Sequence, residues 1–107
     1  MSLRNEKVAN FIKELTATFL AREKNNTALL TVTGAECSPD LKYATVFMTV
    51  LPIAKEREAL TFVKRKRGEL REFVKENMKT KVVPFIEIEI DEGEKNRQKI
   101  DELLRGK

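Results

Sequence analysis

Apolar residues in the first part of the chain recur every three or four positions. Val8, Phe11, Ile12, Leu15 and Phe19 form one stripe, and Lys7, Lys13, Glu14 and Arg22 fall mostly off it. That period predicts a helix over residues 3–24, closed by a C-cap or turn at Asn25-Asn26. Residues 28–36 (ALLTVTGAE) are rich in Leu, Thr and Val and predict a strand. A turn follows at Cys37-Ser38-Pro39-Asp40. Residues 42–51 carry the clearest strand pattern, with Ala44, Val46, Met48 and Val50 alternating with Tyr43, Thr45, Phe47 and Thr49. Pro52 ends it. Residues 54–79 return to a helical stripe of Leu60, Val63, Leu70, Phe73, Val74 and Met78, interrupted at 64–68 by Lys-Arg-Lys-Arg-Gly. A mid-helix glycine costs about 1 kcal/mol relative to alanine, so a kink or break is expected at Gly68. In residues 85–91, Ile86, Ile88 and Ile90 alternate with Glu87, Glu89 and Asp91, and Pro84 suits the strand's start. A short helix over 94–105 has Ile100, Leu103 and Leu104 as its apolar anchors.

The order is helix, strand, strand, helix, strand, helix. The short turn predicts an antiparallel hairpin, and the long intervening helix permits a parallel crossover to the third strand. The expected fold is a two-layer α+β domain with a three-stranded mixed sheet, one face of it under helices. With 107 residues, the whole chain 1–107 is expected to form one domain.

Composition narrows the chemistry. The chain has no histidine, which excludes Ser-His or Cys-His catalytic pairs and imidazole metal sites, and one cysteine, which excludes an internal disulfide or a cysteine zinc cluster. No cofactor or metal is expected. No apolar stretch approaches the roughly 18 residues of a membrane span. The N-terminal MSLRNEKVANF lacks the apolar centre of a signal peptide. A cytoplasmic location is expected. The net charge of +4 is too small to identify a partner by itself.

The distribution is more informative. Residues 55–81 hold ten bases and five acids, and residues 82–94 hold five acids and no base. Such asymmetry speaks of partners. Lys64, Arg65, Lys66 and Arg67 precede Gly68, with Arg71 and Lys75 one and two turns on, and Lys79 and Lys81 beyond. A helix restarting at Gly68 would offer phosphate its positive N-terminal end beside these cations. The plain alternative is a solvated helix face. A third reading is a protein-interaction module whose basic helix binds an acidic protein. Lys42, next to the Ser-Pro-Asp turn, is a further candidate contact. Tyr43 and Phe47 suit either base stacking or packing. Ser38 has no base to activate it, and Glu87 and Glu89 are expected on a solvated sheet face.

Three local sequences carry a family resemblance. Cys37-Ser38-Pro39-Asp40-Leu41-Lys42-Tyr43-Ala44 resembles the S-P-D-L-x-x-A hairpin of ribosome-binding factor A. Val83-Pro84-Phe85, leading to Asp91-Glu92, resembles that family's V-P-x-[LI]-x-F-x-x-D-[ED] segment. Ile100-Asp101-Glu102-Leu103-Leu104 resembles its terminal R-I-D-x-L-L. The resemblance spans about residues 3–105. A monomer is expected, and the resemblance implies a type II KH-like fold, α-β-β-α(kinked)-β, and a non-catalytic assembly factor. Such a factor binds 16S rRNA within the small ribosomal subunit and assists its late maturation. The family's A-x-G kink falls on Lys66-Arg67-Gly68, where Lys66 replaces alanine. With the basic block and Lys42 read above, the expected RNA-binding set is Lys42, Lys64, Arg65, Lys66, Arg67, Gly68, Arg71, Lys75, Lys79 and Lys81.

Overall fold

The strand with the strongest alternation lies at the centre of the sheet. In the computed structural model, which describes residues 3–23, 28–78 and 83–105, β1 (Leu29–Cys37) and β2 (Tyr43–Leu51) form the hairpin, and β3 (Phe85–Ile90) adds to β2 in parallel. The order is β1-β2-β3, so the sheet is mixed. Ala44, Val46, Met48 and Val50 are all buried. Ile86 and Ile88 continue that inner face across β3.

β1 reaches the same face by changing phase. Val32 sits opposite Met48 and Gly34 opposite Phe47, leaving Thr33 as the extra residue of a bulge. Without it, Ala35 and Cys37 would point away from the side that Leu30 and Val32 occupy. The hairpin turn is closed by its own polar groups. Ser38 Oγ donates to Asp40 Oδ1 at 2.6 Å and accepts from the Tyr43 N–H at 3.0 Å. The Lys42 N–H donates to Asp40 Oδ1 at 3.1 Å. Leu41 takes a left-handed φ of 60° there.

Among the described residues, four helices pack around this sheet. α1 (Leu3–Arg22) ends at Arg22, and the expected cap at Asn25-Asn26 lies outside the described residues. Its buried face is centred on Ile12 and includes Asn5, Ala9, Thr16, Phe19 and Leu20. Phe11, assigned to the stripe by its spacing, is exposed. It sits about 100° around the helix from Ile12, too far to share its face. The Asn5 side-chain amide donates to the Ser38 carbonyl at 2.7 Å, fixing the start of α1 to the hairpin turn.

After Pro52 and a 3₁₀ turn (Ile53–Lys55), the second helical stretch is two helices, α2 (Glu56–Arg65) and α3 (Arg67–Asn77). Ala59, Val63, Leu70 and Val74 supply their buried face. Phe73 of α3 packs on Phe19 of α1 with ring centroids 5.8 Å apart, and the Arg22 guanidinium covers Phe73 at 4.7 Å.

α4 (Glu92–Arg105) starts two residues earlier than its pattern suggests. Asp91 caps it: Oδ1 accepts from the Glu94 N–H at 3.0 Å, and Oδ2 accepts from Thr33 Oγ1 of the bulge at 2.6 Å. The expected apolar anchors do not anchor it. Ile100, Leu103 and Leu104 are 57%, 69% and 72% exposed. Polar contacts hold α4 instead, through the Lys95–Glu56 ion pair at 3.1 Å and Gln98 against Thr49 on the outer face of β2.

Candidate nucleic-acid interface

The interruption in the apolar stripe does break the helix, but not at Gly68. Lys66 is the residue that leaves helical geometry, with φ −90° and ψ 4°. Its N–H closes the last turn of α2 on the carbonyls of Phe62 and Val63, and its own carbonyl accepts from the Leu70 N–H to start α3. Gly68 lies inside the first turn of α3 with no left-handed φ, and a Cβ there would meet nothing within 4 Å. Lys66 makes two ion pairs at the junction. Its ammonium reaches Glu69 at 3.2 Å and Glu23, just beyond α1, at 3.3 Å. Hydrogen bonds to Glu69 and then Glu23 raise its pKa above the ordinary lysine value.

Four consecutive cations on a helix spread to all sides, and the structure sorts them. Lys66 turns toward α1. Arg67 turns the other way, around the edge of the sheet, where Nη1 donates to Glu87 Oε1 at 2.7 Å and the guanidinium lies 5.6 Å from the centroid of the Phe85 ring. Arg71 follows one turn later and donates to the Val83 carbonyl at 3.1 Å. Lys64, Arg65 and Lys75 are exposed and make no ion pair among the described residues. Lys75 continues the four-residue row of Arg67 and Arg71 along α3. Lys79 and Lys81 lie outside the described residues.

The convergence is therefore smaller than the basic block. Lys64, Arg67, Gly68 and Arg71 line one open cavity of about 280 Å³ together with Phe85 and Ile86. Gly68, lacking a side chain, leaves its floor open. Lys42 stands at the same end of the sheet, its carbonyl accepting from the Phe85 N–H at 2.8 Å. The acidic strand is drawn into this site rather than left wholly to solvent: Glu87 is half-buried on Arg67, while Glu89 is exposed.

Phe85 is a member of the site that the basic pattern alone does not indicate. The signal is present in the strand, since strict alternation with Ile86 inward sends Phe85 to the outer face, where a strand gains least from an aromatic ring. Phe47 is half-buried on that face, and Tyr43 is exposed. Elsewhere, Cys37 is buried, and burial raises its thiol pKa, away from a reactive thiolate. Ser38 is committed to the turn.

Fold and site together define a small α+β domain whose cations gather where a broken helix meets the edge of a mixed sheet. The chain belongs to the ribosome-binding factor A family, whose model matches residues 4–104. It is 34% identical over 114 aligned positions to ribosome-binding factor A of Macrococcus caseolyticus, with all of both chains covered. Against the same factor of Thermomicrobium roseum it is 28% identical, covering 97% of this chain and 83% of the other. The crystal structure of ribosome-binding factor A from Thermus thermophilus superposes with a TM-score of 0.72 at 18% identity, covering 80% of this chain and 94% of that one. A Thermus thermophilus ribosome-binding factor A fitted into a cryo-electron microscopy map of its complex with the 30S subunit gives 0.66 at 20% identity, covering 74% and 86%. No helix among the described residues is long and apolar enough to cross a membrane.

Proposed function

We propose that this chain is a KH-like RNA-binding domain over residues 1–107, which docks as a monomer on the small ribosomal subunit and contacts its 16S rRNA during late maturation. The observation that carries this reading is the cavity where Lys64, Arg67 and Arg71 meet Phe85. Its support from outside the chain is family membership and the likeness to a factor fitted into a 30S complex. The mechanism is stoichiometric: the domain binds one RNA conformer, shifts the folding equilibrium toward it, and leaves when the mature form no longer fits. No bond is made or broken by the protein, and the binding takes place in the cytoplasm.

Within the site, roles divide by geometry. Lys64 and Lys75 are exposed and can meet phosphates. Arg71 holds a carbonyl with one nitrogen and keeps other donors for a phosphate. Arg67 gives up Glu87 when a phosphate displaces the carboxylate. Lys66 serves the junction itself. With about four phosphate contacts, log K falls by about 3 for each tenfold rise in salt. Binding of the purified protein to 30S subunits and to 16S rRNA, measured from low to high salt, tests this. A flat salt dependence would refute phosphate contact. Salt-resistant binding to a purified ribosomal protein would favour the protein-interaction reading instead.

A further inference from the structure

Two aromatic rings stand exposed side by side at one end of the outer sheet face. Tyr43 opens β2, Phe85 opens β3, and the parallel register sets them directly across from each other. They are 61% and 46% exposed, with centroids 6.5 Å apart in an edge-on arrangement. The fold gains little from rings left in water, because their stabilising contribution comes from burial. The surroundings are cationic. The Arg67 guanidinium lies 5.6 Å from the Phe85 centroid, and Lys64 and Arg71 line the cavity of which Phe85 is one wall.

We infer that Tyr43 and Phe85 form a stacking platform for an unpaired RNA base, whose flanking phosphates Lys64 and Arg71 hold. The inference rests on the RNA-binding reading of the basic junction and adds the class of RNA: single-stranded at this point. A duplex hides the faces of its bases, so a ring reaches one only where pairing is absent. A ring paired with a neighbouring cation is the usual means of holding such a strand without reading its sequence.

The carboxylates on this face fix where the strand runs. Glu87 and Glu89 follow Phe85 along β3, and Glu36 lies on the outer side of β1 opposite Thr45. Glu36 and Glu89 repel phosphates from the middle of the sheet, while Glu87 is engaged by Arg67. Asp40, in the adjacent turn, is occupied by the Ser38 hydroxyl and the Lys42 N–H. The backbone is therefore confined to the Tyr43–Phe85 end, between Lys42 and the α2–α3 junction.

The chain provides its own probe, because it has one tyrosine and no tryptophan. Its intrinsic fluorescence reports on Tyr43 alone. The full chain is titrated with a labelled eight-nucleotide single-stranded RNA and with the same sequence as a duplex. Anisotropy reads binding, and tyrosine emission reads stacking. The single strand should quench the tyrosine and bind about tenfold or more tighter than the duplex. Tyr43→Leu and Phe85→Leu should each lower its affinity by about five- to a hundredfold, whereas Tyr43→Phe and Phe85→Tyr should retain it. Salt-sensitive binding of the single strand with no quenching, and full affinity in both leucine variants, would overturn the platform and leave the basic junction standing. No salt-sensitive binding of either RNA would overturn both.

Discussion

Thr16 is fully buried in α1, and its hydroxyl has no hydrogen-bond partner among the described residues. Two positions on, Thr18 makes the bond that Thr16 lacks, donating to the Glu14 carbonyl at 3.0 Å. A stranded hydroxyl carries its desolvation cost without a compensating bond, and valine has nearly the same shape. Thr16→Val should therefore stabilise the domain by about 1 kcal/mol, raising the melting temperature by about 4–8 °C. Gly68 offers a second single-residue gain. Its backbone is helical, and the space beside it is open. Gly68→Ala should add about 0.4–1 kcal/mol by restricting the unfolded chain. A destabilised Gly68→Ala protein in urea titration would mean that the glycine is needed for backbone geometry, as the sequence motif suggests, and that the break at Lys66 depends on it.

At the scale of elements, period-2 and period-3.6 patterns place every strand and helix within a few residues, because burial on one face writes itself into sequence. What they do not place are features decided by distant partners. The helix break is expected at a glycine, yet it sits at Lys66, whose ammonium pairs with Glu23, just beyond the end of α1. The anchors of α4 are expected to be apolar, yet they are Asp91, Lys95 and Gln98, which meet Thr33, Glu56 and Thr49. Four adjacent cations read as one block, but the break at Lys66 separates them: Lys66 reaches Glu23 and Glu69, whereas Arg67 reaches Glu87. This yields a test of the junction. Lys64→Gln and Arg71→Gln should each weaken binding to 16S rRNA and reduce the salt slope by about one phosphate. Lys66→Gln should leave the slope unchanged and lower the melting temperature instead, since its charge is engaged by Glu23 and Glu69. Equal slopes for all three variants would contradict this division of roles.

Across the whole molecule, the basic block and the acidic segment meet at Arg67 and Glu87, so the charge asymmetry is partly internal rather than wholly directed at a partner. The contacts that close the chain on itself are also acid-sensitive. The Thr33 hydroxyl and then the Glu94 N–H hold the Asp91 carboxyl below the usual aspartate range. The Ser38 hydroxyl and then the Lys42 N–H do the same for Asp40 in the hairpin turn. A carboxylate whose pKa is depressed by folding adds stability above its unfolded value of about 3.9, and that stability is lost as pH falls through the folded value. The domain should therefore hold its melting temperature from pH 7 to about pH 5 and lose it below about pH 4. General charge repulsion acts in the same direction, because protonating all 17 acids leaves 21 lysines and arginines unopposed. The Asp40→Asn, Asp91→Asn double variant separates the two causes. Asparagine keeps an oxygen for the turn and for the cap but cannot titrate, so the variant should be less stable than the parent at pH 7 and lose less on acidification. Calorimetry at pH 7, 5, 4 and 3 decides it: parallel curves for the two proteins would assign the acid response to overall repulsion and remove these two carboxylates from it.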